Sequence, residues 1–369
     1  MVKIDYPNKK SEQEILKATD GIGKYDLDER LPLLLFGDNL RALSLLLENG
    51  YRAKVDLIYI DPPYNTNQIF KVTSKRTNTI SRSTTGELAY SDEFVFEEYL
   101  EFIRERLILL RELLSERGSI YVHIDSKMGH YLKIIMDEVF GRDNFKNDIA
   151  RVKSNPKNFS RKAYGNEKDI VLFYAKDAKK NIFNQITLPL SEEEKSIMFH
   201  KVDEHGRRYN TVPVHAPGET TNGETGKAWR DMMPPLGRHW RSTPSELENL
   251  DRQGLIEWSK NGVPRIKKYA DEHKGKKIQD VWRYKDPIHP KYPTEKNAEM
   301  LEMLIMQSSY SDSIILDCFA GSGSTLLAAQ KLQRRWIGVD VSPVSMKIIR
   351  DGLGLMPYQY IDLDQIDAV

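Results

Sequence analysis

The chain has 369 residues and 40% of them are hydrophobic, which is enough for one large core and an accessory domain. Its 55 basic and 54 acidic residues nearly balance, so a surface for a polyanion has to come from local clusters of charge. Cys318 is the only cysteine, which excludes an intrachain disulfide and a Cys-x-x-Cys zinc site, and the sequence has neither a signal-peptide core nor an apolar run of roughly 20 residues. We expect a protein of a soluble, reducing compartment without a metal site.

The first half of the chain alternates strands with helices. Residues 31–36 are an apolar run that ends in Gly37-Asp38-Asn39, and leucines at helical spacing follow. Residues 55–60 are a second apolar run, of the kind found in buried parallel strands. The alternation continues with a predicted helix over 96–115, a strand over 119–124, a helix over 128–140 and a strand over 169–174. Apart from the long polar connection 65–92, this pattern predicts a doubly wound, parallel α/β sheet.

The pattern changes in the middle of the chain and returns at the end. Residues 180–285 hold four of the five tryptophans, many turn residues and one well-capped helix that begins after Thr243, so we predict an inserted, irregular domain. After it come a predicted helix over 295–307, a strand over 314–316, a glycine-rich turn over 317–325 and a strand over 336–340. The predicted domains are therefore 1–180 with 286–369, and the insertion 181–285.

The glycine-rich turn is a candidate cofactor site. It lies between a strand and a helix, where glycines let the backbone approach a ligand and the helix N-terminus offers N–H groups. Asp340 follows Asp317 by 23 residues and ends the next strand, where a carboxylate can accept hydrogen bonds from ribose hydroxyls. The absence of Gly-Lys-Ser/Thr argues against a P-loop, and a tight turn without a ligand is the alternative.

A second turn, Asp61-Pro62-Pro63-Tyr64, also ends a predicted buried strand, at the sheet edge where α/β folds bind ligands. Two consecutive prolines stiffen it and remove two backbone donors. It presents a carboxylate, carbonyl oxygens and an aromatic ring, which suit an aromatic amine: Asp61 and the Pro62 carbonyl can accept its two N–H bonds, and Tyr64 can stack on the ring. An Asp-capped turn without chemistry is the alternative.

Together, these two motifs resemble those of a known enzyme family. Asp-Pro-Pro-Tyr after a strand, with Phe319-x-Gly321-x-Gly323 in a later turn, resembles the amino-methyltransferases that modify adenine N6 or cytosine N4 in DNA. The motif order, with the accessory domain between the two turns, is similar to the β group of these enzymes, which includes the modification subunits of type III restriction systems. Gly37-Asp38-Asn39-Leu40 and Tyr292-Pro293-Thr294-Glu295-Lys296 extend the resemblance over nearly the whole chain.

The resemblance implies a fold and a cofactor site. The fold is the Rossmann-like one of S-adenosylmethionine-dependent methyltransferases, circularly permuted, with a seven-stranded, mostly parallel sheet and an inserted target-recognition domain. The strand ending at Phe319 would be central and the strand ending at Ile60 its neighbour, which joins turns about 260 residues apart. The implied contacts of S-adenosylmethionine are Asp317, Phe319, Gly321, Gly323 and Thr325 at the methionine side, Asp340 at the ribose, Asp38 near the adenine, and Thr294 and Lys296 at the methionine carboxylate. Asn297 departs from the proline that the family often has after this lysine.

The implied reaction is site-specific methylation of adenine N6 in DNA. The base flips into the pocket, and the methyl group passes in line to the amine without a covalent enzyme intermediate. Asp61, rather than serine, before Pro-Pro-Tyr favours adenine over cytosine N4. A catalytically silent DNA-binding subunit is the alternative of another class, and intact Asp61, Tyr64 and glycine turn argue against it.

Three local basic segments predict where double-stranded DNA would bind, because cations there would neutralise phosphates. The residues chosen from these segments and from the insertion are Lys71, Lys75, Arg76, Arg82, Lys153, Lys157, Arg161, Lys162, Arg238, Arg241, Lys267 and Lys268. The tryptophan beside Arg238 and Arg241 could equally pack in a core. The resemblance implies a cytoplasmic protein of a prokaryote. It also makes a homodimer and a complex with a restriction subunit possible, and the sequence itself does not decide between these states.

Overall fold

A computed structural model describes residues 3–19, 21, 23–64, 69–72, 87–91, 95–154, 162–220, 222–287, 290, 292 and 295–368, with the backbone alone for 69–72, 87–91 and 366–368. Two compact units result, one of Met1–Gln185 with Gln279–Val369 and one of Ile186–Ile278. Over the described ranges, every helix is too short or too polar to cross a membrane.

The larger unit alternates strands and helices along most of its length. Its first segment contains α1 Glu12–Lys17, β1 Leu33–Phe36, α2 Asn39–Glu48, β2 Val55–Ile60, β3 Ile69–Val72, β4 Glu87–Ser91, α3 Phe96–Leu113, β5 Leu114–Ile124, α4 Gly129–Phe140, β6 Phe145–Val152 and β7 Lys168–Ala175. The smaller unit contains β8 Thr187–Leu188, α5 Glu192–Met198, β9 Lys201–Val202, β10 Arg208–Pro213, β11 His215–Pro217, β12 Arg238–Trp240, α6 Pro244–Arg252, β13 Ile256–Trp258, β14 Pro264–Tyr269 and β15 Lys276–Lys277. The chain then returns with β16 Val281–Trp282, α7 Ala298–Ser308, β17 Ile314–Asp317, α8 Ser324–Lys331, β18 Arg335–Asp340, α9 Pro343–Leu353 and β19 Gln359–Asp362.

The central sheet has the order β16-β6-β7-β5-β2-β17-β18-β1-β19 among the described strands. Only β7 runs against the others, since it pairs antiparallel with both β5 and β6. The seven inner strands match the number that the resemblance implies, although the sequence pattern predicted only six of them and missed β6. The short β16 and β19 add one parallel strand at each edge. These strands are the new edges of the sheet, and their shortness limits the backbone that an open edge leaves unpaired. The mostly parallel α/β fold is confirmed, with nine strands instead of seven.

Burial explains why these segments form the inner strands. All six residues of β2 and all four of β17 are buried, as expected of parallel strands covered on both faces. Helix α3 packs against both α2 and α4, and α7 packs against α8. The predicted helix over 96–115 is shorter than expected, because Leu114 already begins β5.

The connection 65–92 was predicted without regular structure, yet its described residues form the antiparallel pair β3–β4. Its polar sequence lacks the apolar alternation that would have indicated strands.

The unit Ile186–Ile278 is more regular than predicted. It contains a four-stranded antiparallel sheet in the order β13-β14-β10-β9 and the two-stranded pair β11–β12. Thr243 caps α6 in a capping box with Glu246, as its sequence predicts. Trp229 and Trp240 lie in the small core of this unit, so core packing is the outcome for Trp240.

Candidate active site

Strands β2 and β17 are neighbours, and this brings the two predicted turns to one sheet edge. They pair in parallel, with Leu57 opposite Ile315 and Ile58 opposite Leu316. The turn beginning at Asp61 and the glycine turn beginning after Asp317 therefore leave adjacent strands at their carboxyl ends. Residues far apart in sequence thus form one site.

The Asp61 carboxylate is held by two side chains. The Tyr64 hydroxyl donates to Asp61 Oδ1 at 2.5 Å, and Lys296 Nζ lies 2.5 Å from Oδ2. Lys296 was predicted at the methionine carboxylate, but in the structure its ammonium contacts Asp61. The Tyr99 hydroxyl donates to the Pro63 carbonyl at 2.6 Å, which fixes the turn from the side of α3. Pro62 is buried. The turn is a rigid acceptor site whose carboxylate carries a neighbouring cation.

Asp340 shapes the glycine turn. Its two carboxylate oxygens accept the Gly321 N–H at 2.7 Å and the Ser342 N–H at 2.8 Å. Gly323 has φ +75°, and a Cβ there would lie 2.7 Å from Ile349 Cγ1, so the turn requires glycine. Desolvation raises the pKa of Asp340. This carboxylate, predicted to bind ribose, is therefore also the residue that orients the loop.

Asp317 is a buried carboxyl with neutral partners. It accepts the Phe319 N–H at 3.0 Å and a hydrogen bond from Thr325. Burial raises the pKa of Asp317 to about 7 against these hydrogen bonds. Burial also raises the pKa of the neighbouring Cys318 thiol, which keeps it protonated and unsuited to nucleophilic attack.

The segment Gly37-Asp38-Asn39 joins the same edge. The Gly37 N–H donates to the Asp340 carbonyl at 3.0 Å, and Asn39 Nδ2 donates to the Cys318 carbonyl at 2.8 Å. Asp38 caps α2 and pairs with Arg106 at 3.1 Å, which the sequence did not indicate. The predicted adenine end therefore contains an Asp–Arg pair.

The segment ahead of α7 reaches both turns. Tyr292 is buried beside Gly321, while Lys296 contacts Asp61. Asn297 caps α7 by accepting the Met300 N–H at 3.0 Å, so the residue that departs from the family pattern starts the helix. Thr294 lies outside the described residues.

A buried polar network behind Asp61 was missed by the sequence analysis. His123 Nδ1 lies 2.8 Å from the Tyr59 hydroxyl, and His123 Nε2 lies 3.3 Å from Asp169 Oδ2. The other oxygen of Asp169 accepts from Lys153 Nζ at 2.6 Å. The available signal was one histidine and one aspartate inside otherwise apolar strands, where polar groups need partners.

The glycine turn fits a nucleoside cofactor by its own chemistry. Helix α8 has Gly323 as N-cap and no side-chain capping bond, which leaves first-turn amides for a ligand. Two carboxyls, Asp317 and Asp340, stand beside it with neutral hydrogen-bond donors as partners. A cationic ligand with hydroxyl groups suits such a site.

The predicted DNA-binding residues have different surroundings. Six of the predicted side chains lie outside the part of the chain that the structure describes: Lys71, Lys75, Arg76, Arg82, Lys157 and Arg161. Lys153 is bound to Asp169, whereas Lys162 is exposed. In the smaller unit the predicted cations are Arg238 and Arg241, both exposed beside β11, and Lys267 and Lys268, which occupy opposite faces of β14.

Comparison with known proteins identifies the family. The model of the N6/N4 family, described as DNA methylase, matches residues 55–351. Type II methyltransferase M.EcaI of Enterobacter cloacae is 40% identical over 374 residues, which cover 96% of this chain and 79% of that protein. The Mod subunit of the type III restriction-modification enzyme StyLTI of Salmonella typhimurium is 27% identical over 331 residues, which cover 81% of this chain and 50% of that protein.

Solved structures resemble the chain at low identity. The crystal structure of M1.HpyAVI has a TM-score of 0.45 and 17% identity, covering 88% of this chain and 100% of that chain, and M1.HpyAVI has also been solved with S-adenosylmethionine. The PvuII DNA methyltransferase, which is cytosine-N4-specific, has a TM-score of 0.44 and 14% identity, covering 91% of this chain and 90% of that chain. With the family model and M.EcaI, the predicted resemblance is confirmed: this chain belongs to the DNA methylase family, the amino-methyltransferases that transfer a methyl group from S-adenosylmethionine to adenine N6 or cytosine N4.

Proposed function

We propose that this chain methylates N6 of adenine at a specific site in double-stranded DNA. The observation that supports the choice of base is the identity of residue 61. An aspartate before Pro-Pro-Tyr favours adenine, whereas a serine at this position would favour cytosine. Asp61 ends strand β2 beside the strand that leads into the glycine turn. A carboxylate there is a stronger acceptor for an amino N–H than a hydroxyl is.

The residues of the Asp61 turn act on the amine. Asp61 and the Pro62 carbonyl accept its two N–H bonds, which raises electron density on a nitrogen whose lone pair is delocalised into the base. In the structure, Tyr64 Oη and Lys296 Nζ contact the two oxygens of Asp61. The amine of the base replaces one of these two contacts. Flipping the base costs a few kcal/mol, and stacking on Tyr64 returns roughly 1–3 kcal/mol.

The cofactor is bound along the glycine turn. Asp317, Phe319, Gly321, Gly323 and Thr325 flank its methionine part, Asp340 its ribose and Asp38 its adenine end. Thr294 and Lys296 bind the methionine carboxylate in this proposal. The Lys296 ammonium therefore leaves Asp61 and contacts the methionine carboxylate when the cofactor is bound. S-adenosylmethionine supplies an electrophilic methyl group, and the chain supplies position and electrostatics.

Target recognition is assigned to the smaller unit. The unit Ile186–Ile278 lies within the insertion proposed for this role, and its exposed Arg238 and Arg241 are available for phosphates or bases. The StyLTI relative is named as a subunit of a restriction-modification enzyme, and we propose a restriction-modification role for this chain.

Identification of the methylated nucleoside tests the proposal. The purified chain is incubated with genomic DNA and tritiated S-adenosylmethionine, and the digested DNA is separated by chromatography. We expect label in N6-methyldeoxyadenosine, and label in N4-methyldeoxycytidine would overturn the adenine assignment.

Variants test the assignment of Asp61 in the same assay. Asp61→Ala should lose transfer by about 10³-fold or more, on the scale of losing a principal electrostatic group, while still binding S-adenosylmethionine. Asp312→Ala, an exposed aspartate of the same unit, is the control. DNA binding without any transfer by the unmodified chain would favour the silent subunit.

A further inference from the structure

The strongest unexplained feature is the polar network behind Asp61. Five titratable side chains from four segments surround His123. They are Tyr59 on β2, Asp61 and Tyr64 after it, Asp169 on β7, and Lys296 ahead of α7. The histidine itself is fully buried, although it stands at the catalytic edge of the sheet.

The reaction produces a proton that must leave this pocket. Methyl transfer breaks the carbon–sulfur bond, whose electron pair stays on sulfur, and forms a carbon–nitrogen bond that leaves the amine with an extra proton. The neighbouring Asp61 carboxylate can accept that proton, but it has to release it before the next turnover. Lys296 contacts Asp61 in the structure, but it is already an ammonium and, in the proposed function, moves to the methionine carboxylate when the cofactor is bound, so it cannot take this proton.

His123 is placed to take the proton on. Its Nδ1 lies 3.9 Å from Asp61 Oδ1, about 1 Å beyond hydrogen-bond distance, and catalytic contacts often tighten only when substrate is bound. Burial, followed by the Lys296 charge, lowers the pKa of His123, so the imidazole is neutral and has a nitrogen lone pair to offer. An imidazolium there would lie between the carboxylates of Asp61 and Asp169.

The network also reaches solvent. His123 Nε2 contacts one oxygen of Asp169, whose other oxygen binds Lys153 Nζ, and the side chain of Lys153 is 30% exposed. Burial opposes ionisation of Asp169, but the hydrogen bonds from His123 and Lys153 hold the pKa of this carboxyl below its usual range. A permanent carboxylate beside the imidazole favours its protonated form during turnover. Arg151 lies 3.9 Å from the same carboxylate and pairs with Asp286.

We propose that His123 is the residue that removes the reaction proton from Asp61, with Asp169 and Lys153 connecting it to solvent. The N–H bond of the methylated amine breaks, a proton is held briefly on Asp61 Oδ1, and the Nδ1–H bond of His123 forms. The resulting imidazolium gives its Nε2 proton to Asp169 Oδ2, and the Lys153 ammonium releases a proton to water as it takes the one from Asp169, so that one proton reaches solvent for each methyl group transferred. The Tyr59 hydroxyl, which can donate or accept, then turns to accept from Nδ1. The inference rests on the amino-methylation of the proposed function and holds for either base.

The test replaces His123 by a neutral side chain that cannot carry the proton. His123→Gln should lower the single-turnover rate of methyl transfer by about 10²-fold at neutral pH, the scale of general acid–base catalysis, with an unchanged Kd for S-adenosylmethionine. The wild-type rate should fall in acid with an apparent pKa below 6.5, and this dependence should flatten in the variant. His130→Gln, an exposed histidine of the same unit, is the control.

A second variant separates this role from a structural one. Asp169→Asn removes the carboxylate that favours the imidazolium, so the acid limb of the rate should move to lower pH. If His123→Gln methylates at the wild-type rate, or loses rate with the wild-type pH profile, the proposal is wrong. The same holds if Asp169→Asn leaves the acid limb in place, a result that remains decisive if His123→Gln does not fold. Failure of the proposed function would instead show as no transfer by the wild-type chain.

Discussion

The sheet edge of the candidate active site in the larger unit and the surface of the smaller unit differ in how they hold charged side chains. At the catalytic edge of the larger unit, the Arg151 side chain is 0% exposed and pairs with Asp286, and Lys296 pairs with Asp61 at 9% and 15% exposure. In the smaller unit, the side chains of Arg207 and Asp271 are 40% and 57% exposed. Buried charges need their partners, whereas exposed ones are solvated without them. An ion pair therefore contributes more to stability at the buried site edge than on the exposed surface of the smaller unit.

Removal of one cation from each kind of ion pair should test this difference most clearly. Arg151→Met should lower the unfolding free energy of the larger unit by about 3 kcal/mol, because Asp286 loses its partner and Asp169 a nearby cation. Arg207→Met should lower the stability of the smaller unit far less, because its two carboxylate partners stay solvated and only the contact over the Tyr269 ring is lost with the pair. Native-state hydrogen exchange read by mass spectrometry resolves the two units. Equal losses in both units would contradict the comparison.

A matched pair of glycines sharpens the comparison. Gly323 has φ +75° and a Cβ there would meet Ile349 Cγ1 at 2.7 Å, whereas Gly262 of the smaller unit has φ +71° and open space. Gly323→Ala should cost about 2–4 kcal/mol from backbone strain and overpacking together, and weaken S-adenosylmethionine binding at least tenfold. Gly262→Ala should cost only about 1 kcal/mol and leave binding unchanged. Calorimetric titration and denaturant unfolding measure both, and normal cofactor affinity in Gly323→Ala would refute the role of the turn.

The buried carboxyl of Asp317 should make stability depend on pH. Its folded pKa of about 7 lies above the unfolded value of 3.8, so the native state binds the proton more tightly and loses stability as pH rises from about 4 to 7. Asp317→Asn removes this loss and should be more stable than the wild type by about 1–2 kcal/mol at pH 8, with no advantage at pH 4. Urea unfolding at both pH values measures it. If Asp317→Asn is less stable than the wild type by the same amount at pH 4 and pH 8, ionisation of the Asp317 carboxyl does not destabilise the folded protein.

The smallest expected effect concerns the exposed cations. Arg238→Ala should reduce the slope of log Kd for DNA against log salt by about 0.9 if its guanidinium neutralises one phosphate. Arg230→Ala is the control in the same unit, because this side chain is already paired with Glu248 and Asp251. Fluorescence anisotropy over a salt series gives both slopes. An unchanged slope in Arg238→Ala would remove this residue from the DNA surface.

Periodicity and motif order predicted six of the seven inner strands because these are largely apolar, whereas β6 was missed because it is half polar and partly exposed. The neighbouring positions of β2 and β17 followed from the resemblance and are confirmed. The edge strand β16 was not predicted, since two residues give no periodic signal. The antiparallel sheet of the smaller unit was missed because its strands are short and its polar residues face solvent.

The site was predicted in its parts more than in its contacts. Residues that must be glycine, proline or aspartate for a turn are visible in a sequence, so both turns were found. The Lys296–Asp61 pair depends on where two distant segments meet, which no spacing encodes. The Tyr59–His123–Asp169 network was missed for the same reason, since each member comes from a different strand.

The parallel pairing of β2 with β17 also has a consequence in time. The Asp61 turn leaves the ribosome first, and its partner strand follows only after about 250 further residues. At roughly 5–20 residues per second, that interval is about 12–50 s. During synthesis a growing chain therefore holds the Asp61 turn without the strand that leads into the glycine turn, so on the proposed mechanism it cannot modify DNA until β17 has been made. Methyl transfer becomes a property of the nearly finished polypeptide, and translation that stops within the smaller unit yields an inactive product.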